Sequence, residues 1–130
     1  MKKLFFTLAG ILFFAVASHA QGKLKFNKMV HDFGKVKEAG VINYSFEVTN
    51  IGTAPVVITN AQASCGCTTP EWSKDPIMPG QTKVIKVGYD TKNRPNAFHK
   101  TITVISNAEN SQEVLTIKGD VIPKEKTSGK

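Results

Sequence analysis

The stretch Val41–Asn50 alternates without a break: Ile42, Tyr44, Phe46 and Val48 fall on one side, and Asn43, Ser45, Glu47 and Thr49 on the other. Successive side chains of an extended chain point to opposite faces, so this pattern predicts a strand with one buried and one wet face. A helix would scatter the same apolar residues around its circumference. The period of two commits the chain to a sheet, and the sheet needs a second layer to cover its apolar face.

Similar runs recur at short intervals. Asn50-Ile51-Gly52-Thr53 reads as a turn, and Pro55 opens a run over Val56–Ser64, at a strand's first position where its missing N–H is tolerated. After an irregular stretch with Pro70, Pro76 and Pro79, the dipeptide Pro79-Gly80 turns the chain into Thr82–Thr91, where Ile85, Val87 and Tyr89 share a face. A loop over Lys92–Asn96 precedes Phe98–Asn107, with Ile102 and Val104 as its alternating pair. A polar turn at Asn107–Ser111 then leads to Glu113–Ile122, with Leu115, Ile117 and Val121 on one side. Leu24–Val36 is expected to hold one broken or bulged strand around Phe26, Val30 and Phe33. No sustained helical period occurs after residue 20. The spacing predicts an all-β fold, an immunoglobulin-like antiparallel β-sandwich of about seven strands, with a small barrel as the alternative.

The termini divide the chain. Lys2 and Lys3 precede an apolar run from Leu4 to Val16, and Ser18-His19-Ala20 supplies the small residues of a cleavage site between Ala20 and Gln21. Residues 1–20 are expected to be a signal peptide that delivers the protein to the periplasm or beyond. Residues 21–123 form the sandwich domain, and 124–130, which lack any apolar residue, a disordered polar tail. The apolar run is shorter than the roughly 20 residues that cross a bilayer, and no Cys stands at the cleavage site to take a lipid, so no anchor is expected. Removing 20 residues and their two lysines from the 130 leaves 110 residues with 15 basic and 10 acidic side chains, a net charge of +5. These charges are scattered singly, which argues for a solvated surface and against a nucleic-acid partner. A chain of this size buries only about two-thirds of its unfolded surface, which leaves little room for a deep active site.

The chemistry-bearing residues are few. Cys65 and Cys67 are the only cysteines, and with Gly66 alone between them they cannot form the inter-sheet bridge of antibody domains. A local bridge needs a tight turn, for which Gly66 offers conformations that a Cβ would forbid. Closing so short a loop stabilises a fold by only about 1.6 kcal/mol on chain-entropy arithmetic, so the pair is a weak staple: packed thiols or an inert local bridge at a sandwich end, or a redox couple. A soft Cu(I) ion could use both thiolates with His31 or His99 as a third ligand, but zinc-type spacing and a second cysteine pair are absent. No metal or cofactor site is assigned. Ser64, Ser73 and Ser106 lie in no nucleophile-elbow pattern, and neither a Gly-rich phosphate loop nor a His-Glu-x-x-His segment occurs, so no catalytic residue is assigned. Trp72, in a Pro-flanked loop, either covers the open end of its own core or serves as a recognition aromatic.

The order of several segments resembles the bacterial domain of unknown function 1573 family. They are Phe33-Gly34-Lys35-Val36, Phe46 with Asn50-Ile51-Gly52, Ser64-Cys65-Gly66-Cys67-Thr68, Pro76-Ile77-Met78-Pro79-Gly80, Tyr89-Asp90-Thr91 and Phe98-His99-Lys100 before Ser106-Asn107. The resemblance implies an exported protein of Bacteroidota or neighbouring Gram-negative groups, with an immunoglobulin-like fold akin to pilus-chaperone, major-sperm-protein and cilia-associated domains. It implies no reaction. The family commonly has a Gly just before the Phe-x-Lys of its penultimate strand; Asn96-Ala97-Phe98 departs from that, so a different turn is expected there.

These readings converge on a non-catalytic, exported interaction or structural module whose partner is an unidentified envelope protein. Two alternatives stay open: a thiol-redox or Cu(I)-binding protein centred on Cys65 and Cys67, and a carbohydrate-binding module using Trp72 and exposed Tyr or Phe rings.

Overall fold

The computed structural model describes Gly10 and residues 20–124. The predicted leader, apart from Gly10 and Ala20, and the tail beyond Lys124 lie outside the described residues. Eight strands follow in order: β1 (Leu24–Phe26), β2 (Val30–Lys37), β3 (Val41–Asn50), β4 (Ile58–Ala63), β5 (Thr68–Glu71), β6 (Thr82–Asp90), β7 (Asn96–Ser106) and β8 (Gln112–Ile122). They form two four-stranded sheets, β1-β3-β6-β5 and β2-β8-β7-β4, packed as a sandwich. Among the described residues no helix is long and apolar enough to cross a membrane.

The alternation read from β3 is realised. Phe46 and Val48 are fully buried, Ile42 and Tyr44 half-buried, and Asn43, Ser45 and Glu47 exposed. Facing them across the interior stand Ile102, Val104, Leu115 and Ile117, all buried. Each such side chain taken out of water favours folding by about 1.5–3 kcal/mol, which makes this double layer the main source of stability.

Three expectations are corrected. Leu24–Val36 is not one broken strand but two in different sheets: β1 pairs antiparallel with β3, and β2 pairs parallel with β8, so the sandwich is mixed rather than wholly antiparallel. Val30 consequently lies on the outer face, 45% exposed, whereas Phe26 is in the core. The irregular proline stretch contains a strand, β5, which pairs with β6 at the sheet edge. The run expected from Val56 begins at Ile58, and Val56 makes an isolated bridge to Ile77.

One buried polar side chain ties three segments together. Asn50, fully buried at the end of β3, donates from Nδ2 to the carbonyls of Ala54 and Ile77, both at 2.8 Å. Its Oδ1 accepts from the amides of Gly52 at 2.9 Å and Lys23 at 3.3 Å. The side chain thus fixes the turn after β3, the start of β1 and the segment before β6. Replacing Asn50 by Ala strands buried backbone groups at 1–3 kcal/mol apiece, so Asn50→Ala should lose about 3 kcal/mol in urea unfolding. A loss below about 1 kcal/mol would show that water replaces these bonds.

Candidate functional site

A sheet edge exposes backbone N–H and C=O groups that can pair with another chain, and a sandwich has four such edges. Three are closed here, wholly or in part, by side chains, turns or burial. On β1 the outward groups of Leu24 are taken by one side chain: Asn110 Oδ1 accepts from its amide at 3.0 Å, and Asn110 Nδ2 donates to its carbonyl at 2.7 Å. On β5 the outward amide of Thr68 donates to the Cys65 carbonyl at 3.2 Å, and Pro70, the other outward residue, has no N–H. On β4 the register shifts between Ile58 and Asn60, Trp72 Nε1 donates to the Ile58 carbonyl at 3.2 Å, and Ala61 is buried.

The fourth edge is different. The amide of Thr116 donates to Met29, and the amide of Glu38 to Ile122, at 2.8 and 3.0 Å; these bonds set the parallel alternation at both ends of β2. That alternation turns the backbone groups of Val30, Asp32, Lys35 and Lys37 away from β8. All four residues are exposed. A bulge at Gly34, with φ +66° and its amide held by Asp32 Oδ1 at 2.8 Å, divides this edge into two short halves.

Behind the edge lies a wall of aromatic rings that the strand-by-strand sequence reading missed. His31 stacks on Tyr44 with ring centroids 3.6 Å apart and meets Phe33 edge-on at 4.6 Å. Phe33 touches Phe98, which stacks on buried Tyr89 at 4.0 Å. Lys28 places Nζ 3.4 Å from His31 Nδ1 and 5.7 Å from the Tyr44 ring centre. The rings come from β2, β3, β6 and β7, so only the assembled sandwich brings them together.

The other sequence candidates lie on the opposite side of the sandwich, in and after the link from β4 to β5. Cys65 and Cys67 are joined as a disulfide. Cys65 is half-buried and Cys67 only 8% exposed. Gly66 does not take a positive φ, and a Cβ there would meet nothing within 4 Å, so the turn does not require a glycine, contrary to the sequence expectation. His31 and His99 do not join the cysteines: among the described residues no group of three His, Cys, Asp or Glu could hold a metal ion. Trp72 is half-buried against the core, and among the described residues every Phe, Tyr and Trp is buried or half-buried. The surface depression beside Trp72 is open to solvent and lined by Glu71, Lys83 and Lys86.

Residues 24–121 match the profile described as a protein of unknown function, DUF1573. The chain belongs to the DUF1573 family. The solved structures similar to it include a protein of unknown function from Porphyromonas gingivalis W83, with a TM-score of 0.71 at 17% identity over 83% of this chain and 51% of that one. This chain thus spans about half of that protein's length. The PapD-like domain 7 of human CEP192 matches with a TM-score of 0.65 at 8% identity, over 81% of this chain and 89% of that one. The Vibrio cholerae VesB protease matches with a TM-score of 0.58 at 14% identity, over 75% of this chain and 31% of that one. At such identities the likeness concerns the fold, which is immunoglobulin- and PapD-like. No curated protein matches the chain.

In this DUF1573 chain the turn into β7 uses Asn93 at φ +59° and Asn96 at φ +80°. Asn tolerates this left-handed region better than most residues, and Ala97 is spared it.

His31 is held below its ordinary value of 6.5, first by burial of the ring and then by the Lys28 charge, with Asp32 opposing. In the unfolded chain the ring takes a proton more readily, so its contribution to stability is complete above about pH 6.5 and declines as the pH falls toward the lower folded value. NMR titration should place the His31 midpoint below 6.5, and the urea midpoint should drop on acidification by less in His31→Phe than in the parent. A midpoint at or above 6.5 contradicts this electrostatic account.

Proposed function

We propose that this protein is an exported, non-catalytic interaction module of the cell envelope that captures an extended segment of another envelope protein along β2. The single observation that supports the reading is the contrast between edges. Asn110, Pro70 and the Thr68 turn, and Trp72 with the β4 bulge, occupy three of them, while β2 keeps four exposed residues with outward backbone groups. A strand added there extends the β2-β8-β7-β4 sheet by main-chain hydrogen bonds. The leader read in residues 1–20 supports export, and the PapD-like fold supports a binding module.

The chemistry of the edge defines the segment. Lys28, Lys35 and Lys37 outnumber Asp32, which favours acidic residues in the partner. The half-buried rings of His31, Phe33 and Tyr44 suit an apolar side chain at alternate positions. Proline at Val30 or Lys37 removes an outward N–H while leaving the β8 ladder intact.

Residues 21–130 immobilised as bait should retain envelope proteins that Val30→Pro and Lys37→Pro release. Ala63→Pro, which places the same lesion on the β4 edge, should retain them. Circular dichroism checks that each variant is folded. Retention that survives both β2 prolines, or the lack of any retained protein across a range of salt, overturns the reading.

A further inference from the structure

The Cys65–Cys67 bridge sits where its loss need not unfold the domain. The Ser64 amide donates to the Thr101 carbonyl at 2.9 Å before the bridge, and the Asp90 amide to the Cys67 carbonyl at 3.0 Å after it. The turn between is closed by Thr68 N–H to the Cys65 carbonyl at 3.2 Å. Main-chain bonds therefore hold both flanks and the turn itself, and the disulfide duplicates a restraint already present.

The two sulfurs are also unequal. Cys65 is half-buried, whereas Cys67 is 8% exposed and packs in the core. The surface over the bridge is open at Gly66, where a side chain would meet no neighbour within 4 Å. Thr68 Oγ1 lies 3.9 Å from Cys65 Sγ and 3.7 Å from Cys67 Sγ, and the Cys67 amide donates to Cys65 Sγ at 3.1 Å. A hydroxyl that reaches both sulfurs can stabilise whichever becomes the thiolate.

We propose that the bridge is a directional electron acceptor for a dithiol, with Cys65 as the sulfur attacked and Cys67 as the leaving group. One thiolate of the donor attacks Cys65 Sγ in line with the bridge; a donor–Cys65 disulfide forms, and the Cys65–Cys67 bond breaks. The Cys67 thiolate leaves under the Thr68 hydroxyl and takes a proton from solvent. The donor's second thiolate then attacks its own sulfur in the mixed disulfide and releases the Cys65 thiolate, which is protonated in turn. The donor ends as a disulfide and the domain as a dithiol, a transfer of two electrons and two protons. The proposal is independent of what binds along β2.

Dithiothreitol and glutathione serve as probes on the full mature chain. Mass spectrometry of quenched mixtures of the protein with reduced glutathione should locate the adduct on Cys65. With glutathione disulfide, Cys67→Ser should be modified at Cys65 at least ten-fold faster than Cys65→Ser at Cys67. Gly66→Val, which covers the approach, should slow reduction of the parent bridge at unchanged fold. Near-ultraviolet dichroism and amide dispersion should survive full reduction. Adducts shared equally between the sulfurs, or found mainly on Cys67, overturn the direction of attack. Cooperative unfolding on reduction shows that the bridge is a staple and overturns the proposal outright.

Discussion

The architecture is governed by the need to shield edge backbone groups from unwanted pairing, which it meets on β1, β4 and β5 and leaves unmet along β2. A two-sheet fold cannot avoid edges as a closed barrel does, and each unpaired edge is a template for unwanted pairing. Here the closing devices come from far along the chain. Asn110, in the turn before β8, satisfies Leu24 at the start of the domain, and Trp72, just beyond β5, reaches back to Ile58. Such long-range closure links the ends of the sandwich to its middle. It also makes an edge without comparable closure informative, because the same fold shows how the others are shut.

The switch of the first strand between sheets follows from the same constraint. Had Leu24–Val36 stayed in one sheet, it would have paired with β3 alone and left the near side of β8 unpaired. Breaking at Asn27–Met29 lets the first part cover β3 and the second cover β8. The price is parallel pairing, slightly weaker per residue than antiparallel, and a bulge at Gly34 that changes the register with Asp32 on one side and Lys35 on the other.

Strands were legible wherever one face is buried along their whole length. Val41–Asn50 could be read to the residue because it alternates between core and solvent, and Thr82–Asp90 nearly so because Ile85, Val87 and Tyr89 share its buried face. Thr68–Glu71 was not legible: four residues containing a proline carry no period, and the strand exists because β6 offers a pairing edge. The break between β1 and β2 was hidden for a related reason, since an apolar residue such as Val30 on an outer face has the same letter as one in the core. Of the candidate site, the Cys65–Cys67 pair was visible because it is local. The His31–Tyr44 stack was invisible, because it joins strands of different sheets with no sequence signal linking them. Asn110 read as an ordinary turn residue, although an Asn followed three residues later by Glu113, which accepts from its Nδ2 at 2.9 Å, offered a hint.

The aromatic wall connects the core to the β2 edge in a way that bears on binding. The stacked rings of Tyr89 and Phe98 are seated in the interior, and Phe98 lies so close over Gly119 that a Cβ there would come within 2.9 Å of its ring. Phe33 leans on Phe98, and His31 bridges Phe33 and Tyr44. Gly119 is thus required by the close approach of a ring on the neighbouring strand, and the position of that ring is passed outward through Phe33 to β2. Aromatic pairs of this kind contribute about 0.5–1.5 kcal/mol each beyond the area they bury, enough to stiffen an edge strand that would otherwise fray. A stiff edge costs less conformational entropy when it receives a partner, so the same rings that complete the core also preorganise the surface beside them.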